Sequence, residues 1–203
     1  AFFSSPIISN DYIKLNQKLH ELDSTYGVRV MSHVDTILKI YNSINGKSML
    51  DYGCGKGQQY APRPIRDESG GLWPSVIDYL DIGELVCYDP CYEPFSRLPE
   101  GKFDAVICTD VLEHCPEADL PWIIGELFGY ANRFVFANVA CFPARKRLPN
   151  GENAHCTIRP PQWWRELVGR VAAGYPGVQW EFWIQYLEDT PNGSEAREEK
   201  VAG

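Results

Sequence analysis

Apolar positions along the chain follow two alternating periods. Tyr12, Leu15, Leu19 and Leu22 recur at helical spacing between Asp11 and Tyr26. Val34, Ile37, Leu38, Tyr41 and Ile44 repeat the pattern, opened by Ser32 as an N-cap and closed by Asn45-Gly46, so both stretches are predicted helices. From Lys47 the period changes. Ser-Met-Leu-Asp-Tyr is a short apolar strand that stops in alternating glycines. Glu84 to Tyr88, Phe103 to Thr109 and Arg133 to Ala140 are further strand-length apolar runs, and Val178 to Leu187 is a last, aromatic-rich one. Between them, Trp73 to Leu80 with Pro74 in its first turn, Ala118 to Ala131 and Pro160 to Ala173 are predicted helices. Gln58 to Gly71, rich in Pro, Arg and Gly, is predicted to be a long loop with at most one helical turn. Residues 1–10 and the charged tail 189–203 are expected to be flexible. Strands separated by helices imply one α/β domain over residues 1–203, with a doubly wound, mainly parallel sheet.

Composition narrows this picture. A chain of 203 residues, 44% hydrophobic, is long enough to bury one sizeable core. A net charge of -8 argues against a surface that neutralises many phosphates, so nucleic acid is a disfavoured partner. The seven cysteines are odd in number, several lie inside apolar runs, and none forms a CxxC pair. They suit a reducing, cytoplasmic setting and lead to no expectation of a metal. No apolar stretch approaches the roughly 20 residues that span a bilayer, so no membrane partner is expected.

The chemistry concentrates at Asp51-Tyr-Gly53-Cys54-Gly55-Lys-Gly57. Glycines directly after a strand let the backbone turn tightly and approach a ligand closely. A phosphate-binding loop would follow Gly55-Lys56 with Ser or Thr, and a dinucleotide loop would have glycine at 58, where Gln stands. The turn instead resembles the first motif of class I S-adenosylmethionine-dependent methyltransferases, whose acidic residue and three alternating glycines match Asp51, Gly53, Gly55 and Gly57. Two more segments share the resemblance in the family's order: Val86-Cys-Tyr-Asp89-Pro90, and Phe103 to Thr109 followed by Asp110-Val-Leu-Glu113-His114. It covers about Met31 to Val139. The resemblance implies a Rossmann-like fold and S-adenosyl-L-methionine as cofactor. It gives the amino acid end to Asp51, the ribose hydroxyls to Asp89, and adjoining positions to Cys54, Pro90, Thr109, Asp110 and Glu113. Only about a dozen residues separate Asp89 from Phe103, so the family's third strand is shortened or missing. The adenine contact then falls to Cys91, Tyr92, Thr109 or an aromatic of the 60–75 loop.

The acceptor side is expected after the fourth strand, where polar residues are dense. Asn138, Arg145, Lys146, Asn153 and Trp164 are the acceptor-binding candidates. His155, and secondarily His114, are the catalytic candidates, because imidazole titrates near neutral pH. The stretch Pro143 to Trp164 is similar to one that follows the fourth strand in bacterial and phage-type methyltransferases. Adjacent Trp163 and Trp164 cannot share one helix face, so one is expected in the core and the other toward the site. The whole reads as a metal-independent methyltransferase acting on oxygen or nitrogen of a small acceptor, with an anionic group matched by Arg145-Lys146-Arg147. No Asn/Asp-Pro-Pro-Tyr/Phe motif of base-methylating families is present. Two other readings stand beside it, a catalytically silent S-adenosylmethionine-binding module that acts through a partner and a nicotinamide-dependent oxidoreductase.

Overall fold

The computed structural model describes residues 13–18, 29–191 and 193–203. Residues 13–18 are helical (α1); the rest of the predicted first helix and residues 1–10 lie outside the described residues. A 3-10 turn, Arg29–His33, leads into α2, Val34–Ser43, with His33 rather than Ser32 at the cap position.

Six strands form the main sheet: β1 Ser48–Tyr52, β4 Glu84–Tyr88, β5 Phe103–Thr109, β6 Ala131–Ala140, β7 Gln179–Thr190 and β8 Gly193–Ala202. Their order is β4-β1-β5-β6-β7-β8; all pairs are parallel except β7 with β8. Alternate residues serve opposite faces, as the strand period requires. Leu50, Val106, Cys108, Val135 and Ala137 pack under α4, Leu120–Tyr130, and α5, Pro161–Ala172. Met49, Ala105, Ile107, Phe134 and Phe136 pack under α2 and the short α3, Val76–Leu80. The sheet is therefore covered on both faces. Between Asp89 and Phe103 the chain makes only a 3-10 turn, Glu93–Phe95, which leaves β4 at the sheet edge in agreement with the shortened third-strand region.

Three local expectations are corrected. The tail is a strand of the sheet where none was expected: residues 193–202 pair with residues 181–190 of β7, from Glu181↔Ala202 to Thr190↔Gly193. Its side chains are mostly exposed and charged, so no apolar alternation marks it, and backbone hydrogen bonds carry the pairing. The loop Gln58 to Gly71 contains a helical turn, Gln58–Tyr60, and also β2, Ile65–Arg66, which pairs with β3, Leu72–Trp73. Asp67 closes that hairpin by accepting from Ser69 Oγ, Gly71 N–H and Trp73 Nε1–H. Consequently the predicted helix at Trp73 starts later, where Ser75 Oγ accepts the Asp78 N–H as an N-cap.

Candidate functional site

Sheet order locates the site. The chain leaves β1 toward β4 on one side and later crosses to β5 on the other, so the loops after β1 and β5 diverge and open a crevice at the strands' C-terminal ends. Ligands of open parallel sheets bind at such a switch point.

The loop after β1 is the glycine turn. Gly53, Gly55 and Gly57 have φ of 83°, 58° and 61°, left-handed values that other residues rarely adopt. The N–H groups of Gly53 and Cys54 both donate to Tyr88 O, at 2.7 and 3.1 Å, which ties the turn to the end of β4. A Cβ on Gly53 would stand 2.4 Å from Val111 Cγ2. The β1 and β5 loops thus meet only because residue 53 lacks a side chain.

Asp89 fixes the other wall. Its Oδ2 accepts the Gly55 N–H at 2.8 Å and its Oδ1 accepts the Cys91 N–H at 2.8 Å. The orientation of a carboxylate held this way is set by the backbone. Asp51 is wholly buried behind the turn. Its Oδ2 accepts from Gln59 Nε2 and Tyr60 Oη, each at 2.9 Å, while Oδ1 has no hydrogen-bond partner. Burial outweighs the two hydrogen bonds and, helped by the Asp89 charge, raises the Asp51 carboxyl to about 7.

That shift has a consequence for stability. Because the folded value lies above the ordinary 3.8, the folded protein keeps a proton that the unfolded chain has lost between about pH 4 and 7. This group's contribution therefore falls as pH rises through that window and is flat above it. Asn at position 51 retains an oxygen for Gln59 and Tyr60 but does not titrate. From pH 5 to pH 8, wild type should lose about 2–3 kcal/mol relative to Asp51→Asn, at 1.36 kcal/mol per pH unit. Urea denaturation of both proteins at the two pH values measures it; parallel pH dependences would refute it.

The loop after β5 carries Asp110, at φ 60°, a costly conformation for a residue with a side chain. Its N–H donates to Asn138 Oδ1 at 3.1 Å. Glu113 is fully buried; Oε1 accepts the Ala140 N–H at 2.9 Å and Oε2 has no hydrogen-bond partner. Burial first and the Asp110 charge second hold the Glu113 carboxyl well above the usual carboxylate range.

His155 reaches this loop through a clamp that the sequence does not announce. Thr157 donates N–H to Glu113 O at 3.0 Å and Oγ1–H to Cys115 O at 2.7 Å. On the other side Asn153 Oδ1 accepts the N–H groups of Ala144 and His155, both at 2.9 Å. His155 Nδ1 lies 2.6 Å from Phe142 O. A carbonyl only accepts, so Nδ1 bears a proton, and in the neutral ring Nε2 has the lone pair. The His114 ring stands edge-on to it, 4.7 Å between centroids.

These loops enclose a cavity of about 910 Å³, within the range of small-molecule sites. On its cofactor side the predicted Gly53, Cys54, Gly55, Asp89, Pro90, Thr109 and Asp110 line the wall; Asp51, Gly57 and Glu113 do not. On its far side Arg145, Lys146, His114 and His155 line the wall. Asn138 and Asn153 support loops instead of lining it, and Arg147 braces its own hairpin by donating to Gly151 O. Cys91 and Thr109, among the adenine candidates, line the cavity, whereas Tyr92 and the aromatics of the 60–75 loop do not. The acceptor role of Trp164 is corrected: it is 0% exposed in the core beneath α5, and Trp163 also stays off the cavity wall. Tyr52, Gln59, Phe142 and Gln185 line the wall without having been anticipated. Gln185 sits in a strand whose pattern marked its structure but not its exposure to a ligand.

Among the described residues, no helix is long and apolar enough to cross a membrane. No family model matches the chain, and no curated protein matches it. Among solved structures, it is similar to the methyltransferase domain of bacterial CtHen1-CN, with 18% identity, 84% of this chain and 96% of that chain covered, and a TM-score of 0.49.

Proposed function

We propose that the chain transfers a methyl group from S-adenosylmethionine to an oxygen or nitrogen atom of a small, anionic acceptor. One observation carries this reading. The left-handed glycine turn and the Asp89 carboxylate are hydrogen-bonded to each other, at 2.8 Å, on the wall of the cavity that His155, Arg145 and Lys146 also line. Gly53, Gly55 and Asp89 supply a close-approach backbone and a fixed bidentate acceptor, which suits a ribose and its neighbouring amino acid portion. A dinucleotide turn would have its third glycine at position 58, where Gln58 stands, which disfavours the oxidoreductase alternative.

When bound, S-adenosylmethionine supplies an electrophilic methyl group on a sulfonium. The chain's own part is to place the acceptor atom in line with it and to receive the acceptor's proton. His155 is suited to that task, since its free nitrogen is Nε2 and its ring is fixed through Nδ1. Arg145 and Lys146 hold the acceptor's negative charge at the cavity wall.

Calorimetric titration with S-adenosylmethionine and with a nicotinamide dinucleotide tests the cofactor; binding only the latter would overturn the reading. Transfer of labelled methyl to a panel of small acids then separates an enzyme from a silent binding module. In His155→Ala, cofactor affinity is expected to stay within about 2-fold of wild type. Turnover should drop by about 10²–10⁴-fold, the size of general-base contributions. Unchanged turnover removes His155 from the reacting site.

A further inference from the structure

We infer that Asp110, Glu113 and His155 bind one divalent cation at the cavity wall, leaving coordination positions open toward the methyl acceptor. One carboxylate oxygen from each acidic residue and one imidazole nitrogen all lie within 4.8 Å of one another. Three points this close fit a circle of radius 4.8 Å/√3, so some position is within about 2.8 Å of every donor. Small side-chain movements bring that to the roughly 2.0–2.6 Å of metal–oxygen bonds.

Two independent features point to an ion there. Glu113 is 0% exposed, and its Oε2 has no hydrogen-bond partner. A carboxylate oxygen of Asp110 stands within 4.8 Å of one of its own. A cation between two such carboxylates offsets their repulsion, and a buried oxygen without a donor is costly to leave as it is. The second feature is the histidine. Metal-bound imidazoles characteristically donate their other N–H to a carbonyl or carboxylate. His155 does this to Phe142 O, and its own N–H is held by Asn153, so ring and tautomer are both set.

Surrounding backbone keeps the three together. Asp110 is held at positive φ over Asn138, Glu113 is tied to Ala140, and Thr157 links the His155 segment to Glu113 O. Two carboxylates and one imidazole, without thiolate, form a donor set that suits Mn²⁺ and its neighbours among the harder divalent ions. Asp110 and His155 line the cavity, so remaining ligand positions face it. The absence of recognisable ligand spacing in the sequence is consistent with this site, since two ligands come from one loop and the third from a distant segment.

The cation's role in catalysis rests on the methyl-transfer reading, whereas its binding does not. An acceptor hydroxyl bound to the ion loses its proton to water more readily. Its oxygen then forms the O–CH₃ bond while the S–CH₃ bond breaks, and that electron pair stays on sulfur. With the ion bound, His155 Nε2 serves as its ligand and water takes the proton, whereas in the metal-free site the same lone pair is the base; either role makes His155→Ala lose turnover.

The test is a Mn²⁺ titration of the chelator-treated full chain, followed by electron paramagnetic resonance. One ion per chain is expected for wild type. Asp110→Asn, Glu113→Gln and His155→Ala should each weaken it by at least about 10-fold, the loss that outer partners alone produce. Asp110 is the most exposed of the three, so Asp110→Asn decides the matter if Glu113→Gln does not fold. Absence of Mn²⁺ binding by wild type, or equal affinity in folded Asp110→Asn and His155→Ala, overturns the site. Parallel titration with S-adenosylhomocysteine keeps the readings apart. Mn²⁺ bound without any cofactor binding sinks methyl transfer and leaves the metal site standing.

Discussion

Gly55→Arg is expected to abolish S-adenosylmethionine binding while leaving the protein folded. Residue 55 lies at φ 58°, lines the cavity and donates its N–H to Asp89 Oδ2. An arginine there pays the cost of a left-handed conformation, about 1 kcal/mol, which a domain of ordinary stability survives. Its side chain, starting from the turn, fills the space against which a ligand would lie and sets a cation beside Asp89. Binding should fall below calorimetric detection, while the far-ultraviolet circular dichroism and a cooperative melt persist. Binding within 10-fold of wild type would mean that the ligand lies elsewhere in the cavity. Loss of the cooperative melt would instead assign the glycine a folding role.

The turn was legible in sequence for the same reason that this substitution is severe. Three alternating glycines after an apolar strand signal a backbone path that few other residues can follow, and all three have positive φ. The central strands were legible because their two faces are both buried, which yields uninterrupted apolar runs such as Ala-Val-Ile-Cys in β5. β8 escaped notice because it has the opposite character. Its pairing with β7 is accompanied by ion pairs, Arg197 with Glu188 at 2.8 Å and Lys200 with Glu181 at 3.5 Å, and a run of charges of this kind resembles a disordered tail.

The far side of the cavity was only partly legible. His155, Arg145 and Lys146 were marked by residue type and do line the wall. What puts them there is a set of contacts between distant segments, Thr157 with Glu113 and Cys115 above all, and periodicity contains no trace of such pairings. Asn138 and Asn153 were chosen for polarity, and their polarity serves the backbone of Asp110, Ala144 and His155 instead. Polar side chains near a site are often used this way, because loops that close over a cavity must satisfy their own N–H and C=O groups.

Trp164 shows the converse error, and its replacement should have the second large effect. The side chain is fully buried among residues of α4, α5 and the sheet, edge-on to Trp163 with centroids 5.1 Å apart. Truncation to alanine leaves a cavity and removes a large apolar surface, so Trp164→Ala should lower the unfolding free energy by about 3–5 kcal/mol. Its Nε1 has no hydrogen-bond partner. Trp164→Phe, which removes that unsatisfied donor along with one ring, should therefore cost distinctly less than the alanine variant. Chemical denaturation measures both losses, and calorimetry on the folded phenylalanine variant should find wild-type affinity for S-adenosylhomocysteine. A tryptophan that gripped a ligand would give the reverse pattern, a small change in stability and a large one in binding. That outcome would move α5 from the core of the domain to the wall of its site.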